Sequence, residues 1–277
     1  MRPFVILVAL AACGTAPEAD TTSTPEATPT LEAAPPATLD LSAEAPATQA
    51  RIAIPTLTET QLALDAAGLQ AKLSEVGVGG TFDLTKTEPD RVAVRIGVQL
   101  AHLSLHALDL PTPDLIARLQ QVEDGLVLLG LSDDVVDEVK QLIEELKAGS
   151  ITREQVVQRL DQFSAHGVEA LRFEGYDDVV PLIQAGVWLE GVHLVSLAAL
   201  SADNVAAGQT VLKQPGVVAA FRVHAEKMFE SGWVESEIVN LLRFRLAQLE
   251  LAANTESWSR TELEAVQGAT SAILEKL

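Results

Sequence analysis

Apolar residues recur at helical spacing along most of the chain, from about position 56 to its C-terminus. Glycines, prolines and capping residues separate these apolar segments, and such residues end one helix and begin the next. The most apolar segment follows Asp177-Asp178 and runs to about Leu200. The pattern predicts about ten helices, with approximate bounds 62–76, 87–108, 114–130, 132–149, 152–173, 177–200, 201–214, 215–230, 234–253 and 259–277.

One segment carries a competing signal. Residues Arg91 to Val98 alternate between polar and apolar positions, a pattern typical of a β-strand. Thr87-Glu88-Pro89-Asp90 precedes them as a helix start, and the apolar run that follows is too long for a strand. We therefore predict a helix here, and an all-α fold class in the form of a multi-helix bundle.

Polar residues mark several other helix starts. Thr152-Arg153-Glu154-Gln155 is a capping box, in which a hydroxyl and a Gln or Glu side chain bond the first backbone N–H groups. Ser132 and Ser259 are also expected to cap the helices that follow them.

The N-terminus has the arrangement of an export signal. Met1-Arg2-Pro3 carries one positive charge, and a short apolar run from Phe4 leads to Leu10-Ala11-Ala12-Cys13. The run is too short to span a bilayer, which takes about 20 apolar residues. Leu-Ala-Ala-Cys resembles the bacterial lipobox, which implies a signal peptide over 1–12, a lipid on Cys13 and attachment to the cell envelope. Gly14 does not resemble the inner-membrane retention signal, so the outer membrane is expected. The alternative is an ordinary signal with an incidental cysteine.

Residues 13–55 contain proline, threonine, alanine and acidic residues, with almost no large apolar side chains. A segment of this composition cannot bury enough surface to offset its chain entropy. We expect a disordered tether over 13–55 that joins the anchor to a helical domain over 56–277.

Composition and charge limit the classes of partner that the protein is expected to bind. Hydrophobic residues make up 48% of the chain, aromatic residues only 4%, and the net charge is -20. The electric field of this large negative charge repels phosphate backbones, so nucleic acid is not expected as a partner. The single cysteine lies in the targeting segment, so the folded part has neither a disulfide nor thiolate chemistry.

One short motif carries a family resemblance. Ala185-Gly186-Val187-Trp188-Leu189-Glu190-Gly191 resembles a Gly-Gly-Trp-Ile-Glu-Gly helix found in a group of uncharacterised, all-helical bacterial lipoproteins. Gly186, Trp188, Glu190 and Gly191 match, and Val187 replaces the second glycine. The resemblance implies a helical fold and an envelope location, and it implies no activity.

The same segment has a counterpart within the chain. Gly97-Val98-Gln99-Leu100 parallels Gly186-Val187-Trp188-Leu189, each early in one half of the helical domain. This similarity suggests two repeated halves, although short similarities in aliphatic helices also arise by chance.

Two histidine-containing pairs are candidate metal ligands. Glu190 and His193 have the Glu-x-x-His spacing of di-iron bundles, but the chain has no second such motif. His102 and His106, four residues apart, could reach one ion from a single helix. Together these four residues could bind Fe or Zn. The alternatives are a buried Glu190 that bonds a neighbouring helix, and a polar edge on a largely buried helix.

Three familiar catalytic and cofactor-binding motifs are missing from the sequence. The sequence contains no Gly-x-Ser-x-Gly nucleophile elbow, no phosphate loop and no haem-attachment motif. We therefore favour a lipid-anchored protein whose helical domain binds a protein or a small ligand or acts as a scaffold. The alternative hypothesis is a metal-binding helical bundle.

Overall fold

The computed structural model describes residues 57–76, 80, 82–84, 88–163, 167–231 and 236–277. Within these ranges every regular element is helical, which confirms the predicted all-α fold class. Cys13 and the predicted tether lie outside the described residues. The helices are α1 Leu57–Ala66, α2 Gln70–Glu75, α3 Pro89–His106, α4 Thr112–Leu128, α5 Asp133–Ala148, α6 Arg153–Gln162, α7 Val168–Phe173, α8 Val180–Ser201, α9 Val205–Leu212, α10 Pro215–Ser231, α11 Ser236–Asn254 and α12 Arg260–Leu274.

Two predicted helices are each divided in two, so the described ranges contain twelve helices instead of about ten. The predicted helix 62–76 becomes α1 and α2, because Gly68 between them has a left-handed backbone with φ of +67°. Glycine adopts this conformation without steric cost, and it ends a helix. The predicted helix 152–173 becomes α6 and α7.

The predicted helix starts differ in how they are capped. Thr152 forms the expected box, since its backbone N–H donates to Gln155 Oε1 over 2.8 Å and its hydroxyl accepts from the Gln155 backbone. Ser259 forms a second box with Glu262. Ser132 stands at the N-cap of α5 but makes no capping bond, and its hydroxyl donates to Glu174 over 2.7 Å.

Helix α3 includes the segment whose sequence alternates. Val92, Val94, Ile96 and Val98 are all buried, and so is Ala93 between the first two. A helix becomes apolar on most of its surface when it is packed on several sides, and α3 packs against both α4 and α8. Burial on several faces, instead of a sheet, explains the run of apolar residues.

The apolar side chains form two cores. The first is built by α3 to α7 together with Val180, Leu182 and Ile183 at the start of α8. The second is built mainly by α1, α2, α9 to α12 and the remainder of α8. Helix α8 therefore contributes to both cores, and its most extensive contact is with α3.

Helix α8 is also the one described helix that is long and apolar enough to cross a membrane. However, 67% of its apolar window is buried inside the protein. A helix surrounded by other helices needs an apolar surface on all sides. The composition of α8 therefore agrees with its position between the two cores.

Candidate functional site

Helices α3 and α8 cross at two glycines. A Cβ atom added to Gly97 would collide with the carbonyl oxygen of Ile183 and lie 2.9 Å from the Cα of Gly186. A Cβ added to Gly186 would collide with the carbonyl oxygen of Val94 and lie 3.0 Å from the Cα of Gly97. The two contacts are reciprocal, because each glycine faces the residue three positions before the other. Only glycine at both positions allows the backbones to approach so closely.

A buried hydrogen bond lies just beyond this crossing. The Nε2 atom of His102 on α3 is 3.0 Å from Oε1 of Glu190 on α8, with 2% and 7% of the side chains exposed. The Nδ1 atom of His102 is also buried, and within the described structure it has no hydrogen-bond partner. Glu190 thus satisfies one of the two ring nitrogens and fixes the register of the two helices.

His106 lies one turn after His102 on α3, and Gln99, His102 and His106 form one polar row along this helix. Its ring centroid is 6.3 Å from that of His102, and the ring planes are tilted by 31°. Burial lowers the pKa of His106 to about 4, with the neighbouring His102 as the next cause. Asp109 and Glu190 act in the opposite direction but are weaker. The imidazole is therefore neutral at neutral pH.

His193 shares helix α8 with Glu190 and interacts electrostatically with Glu190 and His102, but it bonds a different helix. It is half-buried, and its interactions include the backbone of Gln267 on α12. Burial is the main cause that lowers the pKa of His193, and Glu190 partly opposes it. Because Glu190 contacts α3 while His193 faces α12, the Glu-x-x-His pair does not converge on one point.

The structure consequently does not assemble the four predicted metal ligands. His102 and Glu190 are in contact and His106 is adjacent, whereas His193 bonds the backbone of Gln267 on α12. Among the described residues no group of three His, Cys, Asp or Glu side chains is placed to hold a metal ion. Fe or Zn binding by these residues gains no support from this geometry.

A buried arginine extends the polar row, and sequence reasoning missed it. Arg118 on α4 is 6% exposed, and its Nη1 donates to Oε1 of Gln99 over 2.7 Å. Burial lowers the pKa of Arg118, and the carboxylates of Asp114 and Glu190 partly offset this effect. A signal was present in the sequence, since Arg118 occupies the apolar face of its helix beside Leu115 and Leu119. Gln99, His102 and His106 therefore form a polar edge within the protein interior, as the alternative interpretation expected.

Gly186, Trp188, Glu190 and Gly191, which match the lipoprotein helix motif, have different surroundings. Gly186 makes the crossing and Glu190 bonds His102. Trp188 packs in the second core, where its ring lies 5.4 Å from that of Phe221 and its Nε1 donates to Gln214 over 3.2 Å. Gly191 has no such role, because a Cβ added there meets nothing within 4 Å.

Chemically, this buried arrangement is suited to holding helices in register. Arg118 on α4 bonds Gln99 on α3, and His102 on α3 bonds Glu190 on α8. The side chains of His102, His106 and Glu190 are shielded from solvent. A reaction would require a substrate to reach these atoms, whereas a fixed helix crossing requires their burial. No protein-family profile, no curated protein and no solved structure matches the chain.

Proposed function

We propose that the protein is a bacterial envelope lipoprotein, in which an acylated Cys13 attaches a non-catalytic helical binding domain to the outer membrane. The observation that carries the proposal is the position of the only cysteine in the chain, at the end of the apolar run Leu10-Ala11-Ala12. A lipobox must place cysteine there, whereas a chance cysteine could stand anywhere. Acyl chains add about 0.8 kcal/mol of membrane affinity per buried CH₂ group.

The properties of the helical domain support a binding role over catalysis. The side chains best suited to chemistry, His102, His106 and Glu190, are buried, and the contact between His102 and Glu190 joins two helices. The acidic surface favours solubility at a distance from anionic lipid headgroups. Such a domain suits display on a tether, where it can meet a protein or a small ligand.

Acylation is tested by expressing the full chain in a bacterial host beside its Cys13→Ser variant. The expected N-terminal peptide of the native chain begins at Cys13 and carries the mass of a diacylglycerol group and a further acyl chain. The native chain should partition into the detergent phase, and the variant should remain in the aqueous phase. An intact Met1, or a free thiol at Cys13 in exported protein, would contradict the proposal.

Membrane sorting is tested separately with Gly14→Asp, which places an acid after the cysteine. Density-gradient fractionation should find the native chain in outer-membrane fractions and this variant in inner-membrane fractions. Recovery of the acylated native chain from the inner membrane would retain the anchor but refute the outer-membrane location.

A further inference from the structure

Helix α11 carries apolar side chains on two opposite faces. On one face, Leu246, Leu249 and Ala253 are buried in the second core. On the other face, Phe244 and Leu251 are 60% and 75% exposed, and their separation of two helical turns places them on one side of the helix. A helix that is apolar on several sides is normally covered on each of them. The exposed side of α11 therefore has the composition of a contact surface.

Helix α10 extends this surface, because two ion pairs fix how the two helices lie side by side. Arg222 pairs with Glu250, and Oε1 of Glu226 is 2.8 Å from Nε of Arg243, so α10 and α11 run antiparallel. In antiparallel helices, one step along either chain turns toward the same side of the seam between them. The residue that follows each member of the two ion pairs is exposed on that side, which we call the outer face. These residues are Val223, Lys227, Phe244 and Leu251.

The outer face differs in charge from the chain as a whole, which has 39 acidic and 19 basic residues. The two ion pairs neutralise the carboxylates at the seam. Lys227 adds a positive charge, as does Arg245, whose guanidinium carbon lies 5.4 Å from the ring centroid of Phe244. Glu230 on α10 adds an exposed negative charge. Two copies of an acidic chain repel each other least where the charges of each copy are balanced in this way.

The outer face is also complementary to itself. Val223 lies at the level of Leu251 and Lys227 at the level of Phe244, since each follows one member of an ion pair. A two-fold axis parallel to the helices would place α10 of each copy on α11 of the other. Val223 would then contact Leu251 of the second copy, and Lys227 would lie over the Phe244 ring of the second copy. The first is an apolar contact and the second a cation–π contact.

The size of the outer face suits a weak dimer. Helix α10 has 17 residues and α11 has 19. At 1.5 Å per residue each helix is about 25 Å long, and two adjacent helices are about 20 Å wide. The face therefore covers about 500 Å² in each copy, or about 1,000 Å² in both, which is the low end of specific interfaces and typical of reversible association.

We propose that the protein forms a two-fold symmetric dimer through the outer faces of α10 and α11. This inference goes beyond the proposed function, because it names a second copy of the chain as a partner. It does not depend on acylation of Cys13, so a result for one proposal leaves the other standing.

Sedimentation equilibrium tests the dimer with the full-length Cys13→Ser chain, which can be neither acylated nor linked through its own cysteine. The chain should be monomeric at low micromolar concentration and dimeric toward millimolar concentration. Salt should strengthen the dimer, because it screens the repulsion between copies that each carry a charge of -20. A monomer at every concentration would overturn the proposal. So would assembly beyond a dimer, because a closed two-fold contact does not propagate.

Substitutions locate the interface. The double variant Phe244→Ser with Leu251→Ser should raise the dimer dissociation constant at least about ten-fold. Leu62→Ser is the matched control, because Leu62 is 65% exposed on α1, and it should leave that constant unchanged. All three side chains are exposed, so circular dichroism should show the native helix content in each variant. Equal weakening by Leu62→Ser would refute the assignment. Vesicle binding that the double variant abolishes, with dimerisation unchanged, would assign the face to a phospholipid surface instead.

Disulfide trapping tests the two-fold arrangement. One Cys13→Ser chain carries Val223→Cys and another carries Leu251→Cys. An equimolar mixture of the two should form a covalent dimer on mild oxidation, because the axis places position 223 of one copy against position 251 of the other. The Leu251→Cys chain alone should cross-link much less, since its two thiols would lie on separate helix pairs. Equal cross-linking of that chain and the mixture would contradict the arrangement.

Discussion

The close approach of α3 and α8 at Gly97 and Gly186 can be tested directly. Helix α8 contains one glycine that the packing requires and another that it does not. Gly186 lies against the backbone of α3, whereas a Cβ added to Gly191, five residues later, meets no atom within 4 Å. Both residues lie inside the same helix, so replacement by alanine changes the intrinsic helix propensity equally. The difference between the two variants therefore isolates the contact with α3.

The magnitudes follow from two opposing effects. Alanine in a helix interior is more favourable than glycine by about 1 kcal/mol, so Gly191→Ala should raise the free energy of unfolding by roughly that amount. Gly186→Ala gains the same propensity, but its methyl group collides with the carbonyl oxygen of Val94. Forcing an extra methyl group into a packed interior costs about 1–3 kcal/mol or more, and here the obstacle is backbone. The propensity gain cancels between the two variants, so we expect Gly186→Ala to be less stable than Gly191→Ala by the collision cost, about 1–3 kcal/mol or more.

The assay is urea denaturation followed by far-ultraviolet circular dichroism, which reports the loss of helix directly. Gly97→Ala provides an independent check from the other side of the crossing and should behave like Gly186→Ala. The double variant should lose less stability than the sum of the two single losses, because one methyl group already separates the helices. Equal stability of Gly186→Ala and Gly191→Ala would refute the inferred close approach.

Three further predictions concern the buried polar row and the helix caps. Glu190→Leu should cost about 1–3 kcal/mol because it leaves a buried ring nitrogen of His102 without its hydrogen-bond partner. Adding His102→Leu should recover part of that loss in a double-mutant cycle, whereas additive losses would argue against the pair. Burial lowers the pKa of His106 to about 4, so the unfolded chain, with an ordinary pKa near 6.5, binds its proton first as the pH falls. His106 should therefore lower stability progressively between pH 6.5 and 4, by about 3 kcal/mol in total, and His106→Leu should remove this part of the pH dependence; an unchanged profile would show that His106 does not cause it. Thr152→Ala should cost about 1 kcal/mol through loss of its capping box, whereas Ser132→Ala, which removes a bond to Glu174 instead of a cap, should cost less in the same denaturation assay; equal costs would contradict this distinction.

Much of the fold could be predicted from the sequence because local signals and packing agree along the chain. The start of α6 shows this, since Thr152 and Gln155 form the predicted capping box. The alternating segment in α3 was also correctly predicted as helix, because a helix start and a long apolar run outweighed a short alternating pattern. Where a prediction was wrong, as at the division into α1 and α2, a single glycine adopted a left-handed conformation that its neighbours did not indicate.

The candidate site was harder to predict, because its contacts depend on which helices meet. The internal similarity placed Gly97 and Gly186 at equivalent positions, and the structure brings these two residues together. Spacing along one helix could not show that Glu190 and His193 face different neighbours, since residues three apart lie near each other but not in the same direction. The buried Arg118 was missed because an arginine normally lies on the surface.

The sharing of α8 between the two cores has a consequence for how the domain opens. With a separate core of its own, each half would fluctuate independently, as cooperative units often do in native proteins. Here any motion that lifts α8 away from α3 exposes apolar side chains of both halves at once. Backbone amides at the centres of α3 and α8 should therefore exchange with deuterium last, and at rates close to one another.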